Sequence, residues 1–227
     1  MKVKEILNRE IYINEQIARS SLKFRSCKVG TEDVYNYKKV LQAEGIDFTD
    51  GPIICLGTRN GREIDLFRNI FFGNPIVNFF IRLLETKRYG FSSLFGLIEG
   101  FSRSDVNSLS AKSAIGLEIN PEAQRSDTLI GSFDEMPKEW ENKFKIIYSN
   151  SFDQSQDPVK TASEWKRIAS KEKNGCILII GYTTTPPTQS DPVGDLSMAD
   201  FQNLFGGEVL YFSNTHGYYK SIVIKIN

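Results

Sequence analysis

The spacing of apolar positions changes character near residue 52. Before it the repeats are helical: "VKEILNREIYINEQIA" sets Val3, Ile6, Leu7, Ile13 and Ile17 on a rough helical stripe. A second helix fits "EDVYNYKKVLQAE", with Thr31 as N-cap and Gly45 as stop. Residues 1–50 therefore read as a helical N-terminal cap, either a packing extension or a cover over a substrate. After residue 52 short apolar runs alternate with amphipathic stretches. "PIICLG" reads as a buried strand and "GREIDLFRNIFF" as a helix. "SAIGLEIN" (113–120), "DTLIGSF" (127–133) and "KFKIIYSNSF" (143–152) read as strands. "DPVKTASEWKRIASKEKNG" is amphipathic, with Val159, Ala162, Trp165, Ile168 and Ala169 on one face and Gly175 as its end. "CILIIGY" is a wholly apolar strand and "SMADFQNLF" a short helix. "GEVLYFSNTHGYYKSIVIKI" holds two strands, with residues 214–217 at the turn and His216 in it.

Strands alternating with helices imply an α/β fold: a mostly parallel, seven-stranded-type sheet with helices on both faces, a three-layer sandwich. The last two strands share a short turn and must be antiparallel to each other, which puts an antiparallel strand at one edge. The domain so predicted runs over 51–227 and carries a helical insertion at about 71–112, where the connection between helix and strand is longer than usual. "FFGNPIVNFFIRLLETKRYGFSSLFGLIEGF" is rich in phenylalanine, and Gly73, Gly90, Gly96 and Gly100 supply bends. It fits an added helical pair, a lid over a pocket carrying Phe91 and Phe95, or an association face for a homo-oligomer.

Composition narrows the function classes. With 40% hydrophobic and 25% charged residues in 227, the chain has the material for a packed core. Lys plus Arg and Asp plus Glu both count 28, so the basic excess of a nucleic-acid binder is missing. Three widely spaced cysteines and one histidine argue against a metal site and for a reducing, cytoplasmic setting. The N-terminus is too charged for a signal peptide, and the apolar run 70–84 is interrupted and too short to span a bilayer, so no integral membrane segment is expected.

The chemistry turns on "IICLGTRNG", 53–61, where a strand runs into a glycine turn. A phosphate-cradling loop needs Lys and Ser or Thr after its last glycine; here Arg62 and Glu63 follow Gly61. A dinucleotide loop needs a glycine where Arg59 stands, and Glu63 is wrong for an anion. A zwitterionic ligand with a nucleoside and no phosphate fits better.

The motif order resembles that of the class I SAM-dependent methyltransferases over roughly residues 52–227. "IICLGTRNG" is similar to their first motif and "AIGLEINP" to their second. "LIGSFDEMP" is similar to the segment beside the adenine, "FKIIYSNSFDQSQDP" to their fourth motif and "NGCILIIGY" to their fifth strand. "LGTRNGREI" and "YSNSFDQSQDP" resemble a less characterised branch of these enzymes. The resemblance implies a Rossmann-like domain, S-adenosyl-L-methionine as cofactor and methyl transfer to an acceptor. It departs from the family's pattern at Cys55, where an acid is usual, at Arg59, where a glycine is usual, and at Ser132, where an Asp is common.

Carried onto this chain, the cofactor would meet Gly57, Thr58, Arg59, Gly61, Glu63, Glu118, Ile119, Ser132, Phe133 and Asn150. Glu118 would take the ribose hydroxyls, Arg59 the ligand carboxylate, and Glu63 the ammonium that Cys55 cannot hold. The plainer alternatives are a capping acid at 118 and a local ion pair between 59 and 63. Asn150 and Asp153 are the candidate catalytic residues, Asp153 as a base if the acceptor must lose a proton. An Asx turn is the alternative for Asp153. Three functions follow: a methyltransferase on a small-molecule or sugar-type acceptor, a non-catalytic module of the same fold, and an N-methyltransferase on protein or nucleic acid. The last lacks the prolines expected in "SNSF".

Overall fold

The computed structural model describes residues 1–6, 8–23, 27–49, 51–74, 104–172, 175–213 and 219–227. Leu7, most of the expected insertion (with Phe91, Phe95, Gly90, Gly96 and Gly100) and the turn with His216 lie outside the described residues.

Nine strands are described: β1 (Lys2–Val3), β2 (Ile53–Leu56), β3 (Ala114–Glu118), β4 (Thr128–Ile130), β5 (Ile146–Ser149), β6 (Cys176–Thr183), β7 (Val193–Gly194), β8 (Glu208–Ser213) and β9 (Tyr219–Ile226). Five α-helices accompany them among the described residues: α1 (Arg9–Leu22), α2 (Thr31–Ala43), α3 (Arg62–Phe72), α4 (Pro158–Ile168) and α5 (Met198–Phe205). The main sheet has seven strands in the order β4-β3-β2-β5-β6-β9-β8. β4, β3, β2, β5 and β6 are mutually parallel, and β9 runs antiparallel to both β6 and β8. The antiparallel strand thus sits one place in from the edge.

Alternation along the central strands splits the core into two layers. Ile54, Leu56, Ile147, Leu178, Ile180, Ile222 and Ile224 face α4 and α5, against Ala162, Trp165, Phe201 and Phe205. Ile53, Cys55, Ile146, Tyr148, Ile177, Ile179 and Val223 face α2 and α3, against Val34, Leu41, Ile64, Phe67 and Ile70. With both faces covered, these strands read as continuous apolar runs. Cys55 and Cys176 are fully buried and free, and burial pushes both thiols up.

Several boundaries differ from those read from sequence. The N-cap of α2 is Gly30, whose N–H is accepted by Asp33 at 2.9 Å, and Thr31 is the first helical residue. Helix α4 ends at Ile168, well before Gly175, because the Ile168 carbonyl accepts the N–H groups of Lys143 and Phe144, each at 3.0 Å. Gly175 instead lets the chain pass the end of β9, where a Cβ would sit 2.0 Å from the Ile226 carbonyl oxygen.

The two N-terminal helices part ways. α2 lies on the sheet with α3 and shares its core. α1 buries Tyr12, Gln16 and Ser20, while Ile11 and Leu22 are exposed and Ile13 and Ile17 are half-buried. Its most buried positions are polar, where the stripe expected from sequence put Ile13 and Ile17 innermost. The strand pair β1–β7 holds the N-terminus, with Met1 nitrogen on Asp200 at 2.8 Å. Among the described residues, no helix is long and apolar enough to cross a membrane.

Candidate functional site

Where β2 ends, the chain turns through Gly57 (φ 77°) and Arg59 (φ 49°) before α3 starts at Arg62. Gly57 must lack a Cβ because one would lie 2.6 Å from Ser151 Oγ. The left-handed turn at Arg59 aims its backbone N–H at Glu118 Oε2, 2.8 Å away. Glu118 closes β3 and is buried; its Oε1 accepts the Asn120 N–H at 3.2 Å and the Ser20 hydroxyl at 3.3 Å.

These groups border a cleft. One wall is the carboxyl edge of the sheet, with Gly57, Arg59, Glu118, Ile119, Ser132, Phe133 and Ser151. The other is the polar face of α1. Phe133 is held edge-on to Trp165, ring centroids 6.1 Å apart, and the Trp165 indole N–H donates to the Phe133 carbonyl at 3.1 Å. Ser132 donates to Asp134, which also lines the cleft.

α1 is tied down at both ends of the cleft. Tyr12 donates to the Gln154 carbonyl at 2.7 Å, and Gln16 to the Ser190 carbonyl at 2.5 Å. Arg19 pairs with Asp191 through two contacts of 3.3 Å. On the far side Ser21 donates to Glu122 at 2.7 Å, and Asn120 Nδ2 donates to Ser21 Oγ at 3.1 Å.

Behind the wall lie two buried acids. Glu63, in the first turn of α3, accepts from Asn150 Nδ2 at 3.4 Å, and its Oε2 has no hydrogen-bond partner among the described residues. Burial pushes its carboxyl up to about 7. Asp153 follows β5 in the short helical turn Phe152–Gln154, with Oδ1 unpartnered among the described residues; burial pushes it up to about 6, against the pull of Lys28. Lys28 sits 5.7 Å over the ring of Tyr219. Among the described residues, no group of three His, Cys, Asp or Glu side chains is placed to hold a metal ion.

The backbone is similar to the crystal structure of a SAM dependent methyltransferase from Aquifex aeolicus, with a TM-score of 0.52 and 12% identity over 88% of this chain and 100% of that one. The fold is that of a SAM-dependent methyltransferase. A TehB-like SAM-dependent methyltransferase from Corynebacterium glutamicum aligns with a TM-score of 0.46 and 12% identity, over 87% of this chain and 98% of that one. No family model and no curated protein matches the sequence.

On this methyltransferase fold the residues singled out from sequence fall into two groups. Gly57, Arg59, Glu118, Ile119, Ser132 and Phe133 border the cleft. Glu63 and Asn150 meet behind it, between the start of α3 and the end of β5, and Asp153 is buried in the turn that follows β5. Thr58 turns inward, its Oγ1 being 3.0 Å from where a Gly116 Cβ would stand. Gly61 meets protein: a Cβ there would be 2.3 Å from Arg125 Nη1. Sequence reading missed Tyr12, Gln16 and Ser20, which hydropathy hides because they are polar residues on a buried face. It also passed over Asp134, although "SFDE" carries an acid just beyond Ser132.

Proposed function

We propose that the chain is a SAM-dependent methyltransferase acting on a small-molecule acceptor. The observation that carries this reading is Glu118, a buried carboxylate at the carboxyl end of β3 bordering the cleft under α1. A carboxylate accepts from both hydroxyls of a sugar diol, and open α/β sheets bind their ligands at this edge. The other donors and acceptors suit the same ligand. Asp134 offers an acceptor to an exocyclic amine beside the apolar Phe133. Arg59 suits a carboxylate. No lysine follows Gly61 to hold a phosphate.

S-adenosyl-L-methionine bound here would supply a methyl group on a positively charged sulfur. The protein's share is alignment and exclusion of water, which α1 serves by closing the cleft from above. Asp153 is the base for an acceptor that carries a proton. Burial raises its affinity for that proton, and its Oδ1 has no hydrogen-bond partner among the described residues. A cleft strapped by α1 favours a small acceptor over a polymer.

Calorimetric titration with S-adenosylhomocysteine tests the reading. Wild type should bind, and Glu118→Ala should weaken binding by about 1–3 kcal/mol, the worth of hydrogen bonds to a charged group. Equal affinity in the two proteins would refute the role of Glu118. No binding by wild type would favour the non-catalytic module.

A further inference from the structure

Glu118 already has donors on both oxygens. Oε2 takes the Arg59 N–H, and Oε1 takes the Asn120 N–H and the Ser20 hydroxyl. A carboxylate offers about four lone-pair sites, two on each oxygen. A vicinal diol donating one bond to each oxygen therefore finds a site on Oε2 and none on Oε1. The two backbone donors cannot yield. Arg59 N–H is aimed by a left-handed turn, and Asn120 is held by its own Asn120 Oδ1···Glu122 N–H contact at 3.0 Å. Ser20 can yield, because its hydroxyl rotates about one bond and its contact, at 3.3 Å, is long for an O–H donor.

We propose that Ser20 gates the sugar site: its hydroxyl occupies the Oε1 position that a ribose hydroxyl needs, and a nucleoside binds only by displacing it. The proposal rests on the nucleoside reading of the cleft. Ser20 rides on α1, and α1 also grips the opposite rim through Tyr12, Gln16 and Arg19. Those anchors do not touch Glu118, so removing the Ser20 hydroxyl leaves the helix in place. The chain's most unusual feature, a helix burying polar residues over a polar edge, then has a use. In the absence of ligand its inward face fills the acceptor position on Oε1 that the backbone donors leave open.

The test is calorimetry of S-adenosylhomocysteine, adenosine and 2′,3′-dideoxyadenosine against wild type, Ser20→Ala and Ser20→Thr. Ser20→Ala should bind S-adenosylhomocysteine and adenosine roughly twofold to tenfold more tightly, the equivalent of one net hydrogen bond. Dideoxyadenosine, which lacks both hydroxyls, should gain nothing, and Ser20→Thr should match wild type. Unchanged or weaker binding of adenosine by Ser20→Ala overturns the gate. So does an equal gain for the dideoxy compound, which would mark a general loosening of α1. If S-adenosylhomocysteine binds neither wild type nor Ser20→Ala, the nucleoside reading itself falls. If Glu118→Ala weakens it while Ser20→Ala does not tighten it, only the gate falls.

Discussion

The guanidinium of Arg125 lies against the alpha carbon of Gly61, where even a methyl group would come within 2.3 Å of Nη1. Arg125 reaches that place because it is held on three sides. Its Nη1 donates to the Asn60 carbonyl at 2.9 Å, Nη2 pairs with Asp65 at 2.8 Å, and Nε pairs with the fully buried Asp127 at 2.9 Å. Arg68 closes the set by pairing with both Asp127 and Asp65. The start of α3 is thereby fixed to the β3–β4 connection, which carries the loop at Gly57 into register with Glu118.

Gly61→Ala should destabilise the protein by about 2 kcal/mol from its left-handed backbone alone (φ 75°), before the clash with Arg125. Arg125→Ala should cost roughly 3 kcal/mol or more, because Asp127 loses one of its two buried partners. Urea unfolding measures both. A near-neutral Arg125→Ala would show that Arg68 alone satisfies Asp127.

Glu63 gives stability a pH dependence whose sign follows from its environment. Burial raises its folded carboxyl from 4.5 to about 7, so between those values the folded state holds a proton that the unfolded state has lost. Stability should therefore fall as pH rises from about 4.5 to about 7, by on the order of 3 kcal/mol from this group. Glu63→Gln should remove that slope: near wild-type stability at pH ~4, and greater stability at pH ~8, where a buried charge is avoided. Thermal melts across the range read the difference, and parallel curves for the two proteins would place Glu63 in a better-solvated setting than its burial indicates.

Asp153 should shape the acid limb of turnover. Its carboxyl, raised by burial to about 6, is a base only above that pH, so the rate should climb through pH ~6 and level off. Asp153→Asn should lower kcat by about 10²–10⁴ and erase the limb, with S-adenosylhomocysteine affinity unchanged. A variant that keeps the limb would assign the proton to another group.

The apolar pattern by itself determined most of the architecture. Strands such as "IICL", "IIYS" and "CILIIGYT" are buried on both faces, so their order and their alternation with helices were visible as runs of branched apolar residues. Glu118 was visible too, as an acid at the end of such a run. What the tertiary structure alone decided is which polar groups meet. α1 turns Tyr12, Gln16 and Ser20 inward and leaves Leu22 exposed, because the surface it covers is the hydrogen-bonding edge of a sheet rather than an apolar core. No hydropathy pattern encodes the polarity of a partner distant in sequence. The same holds for Gly61: the need for a missing Cβ was legible, but whether a ligand or an arginine fills the space depends on Arg125, held there by Asp65 in the first turn of α3 and by the buried Asp127 of its own segment.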